Sequence, residues 1–346
     1  MMSPLLTPLD SPIMSARNRT VMSAMTRGFA DPDHRATPDI LAYYRRRAEG
    51  GVGLILTEGV VIHPTGDGYK DVPRIATDAQ AESWRPVVDA VHVAGAKIAC
   101  QLWHCGRISH SDFTDGAKPV SSTDRAAEGI NRQNDKPYEA PRALPVEEMP
   151  AVHQMFIDAA HRALGVGFDA VELHLGHGYL ADQFLDARVN DRTDAYGGSI
   201  ENRCRFTLEL VEAVLKDVPA DKVIARISPS RFMGGPYDWP DMEAMLDHLI
   251  PRLWSLGLRI LDISCANADY FATSGRVIRA VRPMWPGLII GGASLSQADA
   301  EAEVDAGLLD MVTWGRAFLA NPDLTAKIGS GVPWVEFEND MRLSLV

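Results

Sequence analysis

The chain has 346 residues, of which 34 are Lys or Arg and 46 are Asp or Glu, so its formal net charge is −12. This negative excess argues against nucleic-acid binding through a basic surface. Hydrophobic residues make up 46% of the chain and charged residues 23%, which excludes a disordered chain and provides for a large core. No apolar run approaches the roughly 20 residues of a membrane span. Because no signal-peptide pattern is present either, we expect a soluble, cytoplasmic protein.

The four cysteines are scattered along the sequence without any Cys-x-x-Cys pair. They are Cys100, Cys105, Cys204 and Cys265. This spacing indicates neither a disulfide framework nor a thiolate site for zinc or an iron–sulfur cluster. We therefore expect reduced thiols that mostly contribute to packing.

Short apolar runs alternate with longer segments of helical periodicity along nearly the whole chain, a pattern typical of parallel βαβ units. The eight predicted strands are 19–23, 54–61, 97–102, 170–174, 223–228, 259–264, 288–291 and 311–314. The eight predicted helices are 38–49, 79–94, 149–164, 200–217, 241–256, 275–284, 296–306 and 316–320. This alternation predicts an α/β fold, a single (β/α)8 TIM barrel over residues 1–346. An open doubly wound sheet would need a Gly-x-Gly-x-x-Gly turn after its first strand, and none occurs there.

One connection, residues 104–148 after the third predicted strand, is much longer than the others and rich in Ser, Asp, Lys and Pro. Barrel active sites lie at the C-terminal ends of the strands, where this loop begins. Because long loops in compact domains are usually functional, we interpret it as a cover over the mouth of the barrel. A surface excursion without a role is the alternative. The segment before residue 19 is predicted to cap the barrel floor.

The turns after the seventh and eighth strands have the composition of a barrel phosphate site. They contain Gly292-Ala293 and Gly315-Arg316, so bare N–H groups, a helix start and a guanidinium meet at one place. Ordinary turn glycines beside a surface arginine are the alternative. Gln101 and Arg226, at neighbouring strand ends, favour flavin mononucleotide over a sugar phosphate, since their polar groups suit the edge of a flavin ring.

The fourth predicted strand ends in the sharpest motif of the chain, which contains His174, His177 and Tyr179. Two imidazole N–H groups can hold a carbonyl or nitro oxygen and stabilise the negative charge that develops there. The phenol carries its proton at neutral pH and can act as an acid. The alternative is a metal site formed by the two histidines with His104 and Glu172.

Together these residues resemble the old yellow enzyme family of FMN-dependent ene-reductases, and the resemblance extends over essentially the full length. It rests on Ala16-Arg17-Asn18-Arg19-Thr20-Val21, on Ala24-Met25-Thr26-Arg27, on Gln101-Leu102-Trp103-His104, on the run from Glu172 to Asn190, on Tyr196-Gly197-Gly198-Ser199, on Glu201-Asn202-Arg203, on Gly315-Arg316 and on Asn321-Pro322-Asp323-Leu324. Ala24 and Ala293 depart from the family pattern, which usually has proline and glycine at these two places.

The resemblance implies a set of site residues. FMN would be held by Ala24, Met25, Thr26, Gly59, Gln101, Arg226, Gly292, Ala293, Gly315 and Arg316. His174 and His177 would bind the substrate oxygen, Tyr179 would donate the proton, and Trp103 and Tyr69 would line the substrate pocket. No metal is implied.

The implied reaction is ping-pong reduction of an activated C=C bond in an enone, enal, maleimide or nitroalkene. NADH or NADPH would reduce FMN, and flavin N5 would then pass the hydride to the alkene. A metal-dependent barrel hydrolase, a desaturase or dedicated biosynthetic reductase of the same flavin family, and a flavin-binding protein without turnover are the alternatives. Both nicotinamide donors stay open, as do a monomer and a homo-oligomer.

Overall fold

Eight parallel strands close into a barrel in a computed structural model that describes residues 2–232, 235–265 and 268–345. The strands are β1 Thr20–Met22, β2 Leu54–Val61, β3 Lys97–Trp103, β4 Ala170–His174, β5 Val223–Ile227, β6 Ile260–Ser264, β7 Leu288–Ala293 and β8 Met311–Trp314. Each strand pairs with its neighbours in sequence, and β8 pairs with β1 to close the ring. The predicted TIM barrel is therefore confirmed.

Ten α-helices lie in the described part of the chain. They are α1 Pro38–Glu49, α2 Asp78–Val93, α3 Met149–Gly165, α4 Leu180–Leu185, α5 Ile200–Asp217, α6 Met242–Leu256, α7 Ser274–Val281, α8 Gln297–Asp305, α9 Arg316–Ala320 and α10 Leu324–Ser330. Helices α4 and α10 are not among the predicted helices. Each spans fewer than eight residues, which is too short for a clear 3.6-residue period.

The barrel floor is closed by the N-terminal segment, as predicted. A two-stranded hairpin pairs Leu9–Asp10 with Ser15–Ala16. Its apolar side chains, Leu9 and Met14 among them, pack against the strand starts, including Val21, Leu54 and Ile260. The larger apolar cluster lies between the strands and the surrounding helices. A polar functional site is therefore expected at the opposite, C-terminal end of the barrel.

The long loop after β3 carries two short strand pairs, Val120–Ser121 with Arg142–Ala143 and Ile130–Asn131 with Lys136–Pro137. It is tied to α4, because the hydroxyls of Ser121 and Ser122 donate to the side-chain and main-chain oxygens of Gln183 at 2.9 and 2.5 Å. The loop is thus anchored beside the end of β4. Its function as a cover stays a prediction.

All four cysteines are buried and form no disulfide. In the described ranges, the helices are all too short or too polar to cross a lipid bilayer.

A buried guanidinium connects α1 to the helix that begins with Arg316. Arg47 has no exposed surface and lies over the Tyr43 ring, 3.6 Å from its centroid. It donates to the carbonyl oxygens of Tyr43, Phe318 and Leu319 at 3.1, 3.2 and 3.4 Å. These bonds satisfy carbonyls of the short helix α9 and fix that helix relative to the barrel.

We expect the substitution Arg47→Met to lower the free energy of unfolding by about 3 kcal/mol, because it leaves buried carbonyls without donors. Arg46→Met is the matched control, since Arg46 is the exposed neighbour on the same helix and should change stability by only about 0.5 kcal/mol. Urea denaturation of both variants measures the difference. Equal stability of the two variants would contradict a structural role for the Arg47 guanidinium.

Candidate active site

A cavity of about 650 Å³ opens at the C-terminal ends of the strands, a volume typical of small-molecule sites. We call it the mouth cavity. Its lining is Ser23, Ala24, Met25, Arg226, Ser264, Cys265, Ala268, Asp269, Ser294, Leu295, Ser296, Thr313, Trp314, Gly315, Arg316, Ala317, Trp334, Val335, Glu336 and Phe337. Five of the predicted cofactor residues are in this lining, namely Ala24, Met25, Arg226, Gly315 and Arg316.

The other predicted cofactor residues occupy neighbouring positions at the strand ends. Thr26 is exposed and directly follows Met25. Gly292 and Ala293 end β7, next to Ser294 of the cavity lining. Gly59 and Gln101 are paired across β2 and β3.

Gly59 has a packing reason to be glycine as well. A Cβ atom at this position would lie 2.4 Å from a ring carbon of Trp103, which is closer than nonbonded atoms approach. Gln101 is also engaged within the protein, because its amide Nε2 donates to Glu172 at 2.6 Å. Both residues therefore shape the region beside the mouth cavity through their protein contacts.

One end of the mouth cavity has a free cation. Arg316 is exposed, and its guanidinium lies 5.3 Å from the centroid of the Phe337 ring. Within the described ranges, no carboxylate lies within ion-pairing distance of it. This end of the cavity therefore presents an unneutralised positive charge to an anionic group.

Sequence reasoning missed several residues of the cavity lining. Trp334 and Phe337 come from an irregular segment after α10, which has no periodicity that would place it at the mouth. Ser264 is the last residue of β6, and Thr313 is the next-to-last residue of β8. These two hydroxyls could have been found by inspecting every predicted strand end.

The irregular C-terminal segment is held in place by Arg27. Its guanidinium donates to the carbonyl oxygens of Ser344 at 2.6 Å, Arg342 at 3.2 Å and Met341 at 3.5 Å, and to the Tyr43 hydroxyl at 3.2 Å. Since Arg27 follows Thr26 directly, the short segment that carries a predicted cofactor residue also holds the last residues of the described chain.

Glu58 in turn holds the segment that contains Arg27, through hydrogen bonds to its main chain. One carboxylate oxygen accepts the backbone N–H groups of Arg27 and Gly28 at 2.9 and 3.1 Å. The other oxygen is buried without a hydrogen-bond partner. Burial raises the pKa of Glu58 to about 7, against the smaller opposing effect of the two N–H groups and the Arg27 charge. Glu58 is therefore protonated in a large fraction of molecules at neutral pH.

The raised pKa gives a pH-dependent prediction. The folded-state pKa of about 7 lies above the unfolded value of roughly 4.3. The wild-type protein therefore loses stability relative to Glu58→Gln as the pH rises from the lower to the higher of these two values. Between pH 5 and pH 8, the free energy of unfolding of the variant should rise by about 2 to 3 kcal/mol relative to that of the wild type. Urea denaturation with saturating FMN at both pH values measures this. Glu49→Gln, on the exposed surface of α1, is the control, and an identical pH response of the two variants would contradict the prediction.

The residues predicted around the fourth strand end are brought together. The ring centroids of His174 and His177 lie 5.3 Å apart, and those of His174 and Tyr179 lie 5.0 Å apart. His177 has a left-handed backbone with φ of 57°, which is uncommon for a residue other than glycine. Its N–H donates to Ser228 at 2.5 Å. This turn brings the two imidazoles and the phenol close together, and we call these three side chains the donor cluster.

Both imidazoles have free ring nitrogens. His174 Nδ1 and His177 Nε2 are buried without a hydrogen-bond partner. Burial, followed by the nearby charge of Arg226, lowers the pKa of both histidines well below the usual range. They are neutral at neutral pH, and a neutral imidazole has one N–H donor. The donor cluster can therefore offer two hydrogen bonds to an oxygen atom without adding a charge.

Tyr179 is hydrogen-bonded to Tyr69, with 2.8 Å between the two hydroxyl oxygens. Burial raises the pKa of Tyr179 well above its usual value, so the phenol keeps its proton. Trp103 lies against both rings, at centroid distances of 4.7 Å from Tyr69 and 5.0 Å from Tyr179. Because Trp103 is only 1% exposed, it supports the two tyrosines from within the protein.

The metal alternative receives no support from the geometry. Among the described residues, no three His, Cys, Asp or Glu side chains converge in an arrangement that could hold a metal ion. His104 is directed elsewhere, and its Nδ1 accepts the N–H of Gly106 at 3.1 Å. Glu172 is bonded to Gln101 as described above. The four residues of this alternative thus do not form a ligand set.

Comparison with known proteins shows the family of this chain. The family model described as NADH:flavin oxidoreductase / NADH oxidase family matches residues 4–334. The chain belongs to this family. Among curated relatives it is 36% identical over 345 residues to the putative 12-oxophytodienoate reductase 11 of Oryza sativa subsp. japonica, covering 98% of this chain and 93% of the relative. It is 35% identical over 341 residues to 12-oxophytodienoate reductase 2 of Arabidopsis thaliana, covering 95% and 89%.

Solved structures agree with the family. The old yellow enzyme homologue of Zymomonas mobilis superposes with a TM-score of 0.91 at 32% identity, covering 98% of this chain and 96% of that one. Morphinone reductase superposes with a TM-score of 0.89 at 35% identity, covering 99% and 93%. The expected membership of the old yellow enzyme family is confirmed, and this family member is an FMN-dependent oxidoreductase.

The mouth cavity has the groups that FMN requires. The exposed guanidinium of Arg316 suits a phosphate, and Arg226, in the same lining, has a buried Nε without a hydrogen-bond partner. The hydroxyls of Ser23, Ser264 and Thr313 lie in the same lining. The residues present therefore fit the cofactor that the family uses.

Proposed function

We propose that this protein reduces activated C=C bonds with electrons from NADH or NADPH, with FMN in the mouth cavity. The observation that carries the proposal is the donor cluster, in which two neutral imidazoles with free nitrogens lie beside a protonated phenol. This combination suits an alkene conjugated to an oxygen-bearing group. The relatives named 12-oxophytodienoate reductase and morphinone reductase support a reductive reaction.

Arg226 and Arg316 would hold the two ends of the cofactor, and the backbone around Ala24 and Met25 would lie against it. When bound, FMN accepts a hydride from the nicotinamide and passes it to the alkene. Thr26, Gly59, Gln101, Gly292, Ala293 and Gly315 complete the proposed cofactor site. In this proposal residues 1–346 act as a single FMN-binding barrel.

His174 and His177 would bind the carbonyl or nitro oxygen of the alkene. Negative charge develops on that oxygen as the conjugated system accepts the hydride, and two aligned N–H donors stabilise it. Because both imidazoles are neutral, the substrate oxygen takes up hydrogen bonds and no proton. The proton that completes the reaction is therefore added to a carbon atom of the alkene and not to the oxygen.

Tyr179 would donate that proton to the carbon next to the oxygen-bearing group, with Tyr69 and Trp103 as walls of the substrate pocket. The loss of a proton from Tyr179 is costly because its pKa is raised. The Tyr69 hydroxyl, 2.8 Å away, can donate a hydrogen bond to the phenolate that forms. The reaction balances as one hydride from the flavin plus one proton from the phenol.

The direct test is an absorption spectrum of the purified protein under anaerobic conditions. Flavin bands should bleach when NADH or NADPH is added and return when cyclohexenone follows. Bands that bleach and are not restored by the enone, a maleimide or a nitroalkene would overturn the proposed substrate class. Protein that neither contains nor rebinds FMN would overturn the proposed cofactor site.

The acid role of Tyr179 predicts a selective defect. Tyr179→Phe should slow oxidation of the reduced flavin by the enone 10²-fold or more and change flavin reduction by the nicotinamide far less. Stopped-flow measurement of the two half-reactions separates them. Tyr196→Phe is the matched control, because its hydroxyl is bonded to Glu209 at 2.8 Å, outside the site. An equal loss in both half-reactions of Tyr179→Phe would argue against proton donation.

The oxygen site predicts weaker binding of phenols. A phenolate bound by the imidazoles should lose about tenfold in affinity in His174→Ala, in line with the loss of one hydrogen bond to a charged group. Titration of the oxidised holoenzyme with p-hydroxybenzaldehyde, followed by the flavin spectrum, measures this. His92→Ala, on the side of the barrel, is the control. Unchanged affinity in His174→Ala would remove this histidine from the oxygen site.

A further inference from the structure

Two buried carboxyl groups lie against Arg226 and have no part in the function proposed above. Arg226 on β5 is paired in register with His174 on β4 and with Asp262 on β6. Asp262 Oδ2 lies 3.7 Å from Arg226 Nε, and Glu172 Oε2 lies 4.0 Å from Arg226 Nη1. We call these three side chains the Arg226 cluster.

The Arg226 cluster is almost completely buried. Glu172 and Asp262 are 0% exposed and Arg226 is 5% exposed. Two carboxylates facing one guanidinium would leave a net charge of −1 in the barrel interior, which is strongly unfavourable. One retained proton brings the net charge to zero. In agreement, burial and the neighbouring Asp262 raise the pKa of Glu172 well above its usual value.

The contacts within the Arg226 cluster are loose. Both charge separations exceed hydrogen-bond length. Arg226 Nε, Asp262 Oδ2 and Glu172 Oε1 are consequently buried without hydrogen-bond partners. Gln101 donates to the other oxygen of Glu172, and the Ser264 hydroxyl donates to Asp262. The carboxyl pair thus has fixed positions, while Arg226 is not locked into a bidentate pair.

Arg226 and Ser264 both belong to the lining of the mouth cavity. The positive potential that Arg226 presents to this cavity is therefore reduced by the carboxyl pair behind it. Charges in a buried site of low dielectric interact strongly over such distances. Two-electron reduction by a hydride adds a negative charge to the cofactor, so this potential bears directly on how easily the bound FMN is reduced.

We propose that Glu172 and Asp262 are positioning residues that share one proton and, through Arg226, hold the reduction potential of bound FMN low. The proposal rests on the placement of FMN in the mouth cavity given above. The hydride donor leaves as oxidised nicotinamide, its two electrons and one proton pass to the cofactor, and the shared proton stays on the carboxyl pair. The groups facing this pair are Arg226, Gln101 and Ser264, with Thr313 in contact with Ser264 and His174 paired with Arg226 across the strands.

Shared protonation predicts a non-additive result. In Asp262→Asn or Glu172→Gln one carboxyl is left to balance the charge of Arg226 and the cluster stays neutral, so each single variant should shift the potential only slightly. The double variant leaves Arg226 without compensation. It should raise the ratio of reduced to oxidised FMN at a fixed dye potential tenfold or more, which is roughly 30 mV for a two-electron couple. Asp247→Asn, an exposed carboxyl on α6 outside the lining of the mouth cavity, is the control.

The measurement is anaerobic equilibration of each holoenzyme with a redox dye, without any alkene. A double variant with the potential of the wild type would overturn the proposal, and so would single variants that each give the full shift. If the double variant does not fold, infrared difference spectra of the wild type decide: a protonated-carboxyl band should change on flavin reduction and be absent in Glu172→Gln. The absence of such a band in the wild type would overturn the shared proton.

A further variant distinguishes a wrong placement of FMN from a wrong role of the carboxyl pair. Arg226→Lys should alter the flavin spectrum and potential if FMN lies in the mouth cavity. No change in that variant would refute the placement of FMN. A change in Arg226→Lys without any in the Glu172 and Asp262 variants would refute only the role of the carboxyl pair. Reoxidation by the enone is not involved in either result.

Discussion

The register of strands β4, β5 and β6 is the constraint on which the site depends. It places Arg226 between His174 on one side and Asp262 on the other, so that one cation faces a hydrogen-bonding group and an acid. A shift of one residue in a strand would turn its side chains to the opposite face of the sheet. Burial lowers the pKa of both histidines and the charge of Arg226 adds to this effect, whereas burial and the neighbouring Asp262 raise the pKa of Glu172 against the opposing charge of Arg226.

The irregular segments around the mouth are held by a different device. Arg47 and Arg27 each donate to several backbone carbonyls, in α9 and in the C-terminal segment respectively. Glu58 does the converse and accepts two backbone N–H groups. Carbonyl groups at the end of a short helix lack intrahelical partners, and a guanidinium with five donors can satisfy several carbonyls at once. Segments next to the mouth cavity are thus fixed by charged side chains bound to main chain.

The sequence predicted the barrel because its strands are strongly apolar and its helices are long enough to show their period. It also predicted the donor cluster, since His174, His177 and Tyr179 lie close together in one turn and need no knowledge of distant contacts. Asp262 was beyond this reasoning, because its partners Glu172 and Arg226 come from other strands and their meeting depends on register and barrel closure. Trp334 was missed for a related reason, since its segment has no periodic pattern and takes its place through contacts with residues far away in sequence.

The distribution of charge around the mouth follows a simple division. The donor cluster, which would meet the substrate oxygen, consists of neutral groups, whereas the full positive charges of Arg226 and Arg316 lie in the lining of the mouth cavity. A cation at the oxygen site would stabilise a substrate that is already anionic, before any electrons have moved. Neutral donors instead bind most strongly when charge develops during the reaction, and this difference between ground state and transition state is what accelerates a chemical step. Tyr179 is also a neutral group of the donor cluster, because its pKa is raised. A phenol with a raised pKa transfers its proton only to a strongly basic atom, such as a carbon atom on which negative charge has developed.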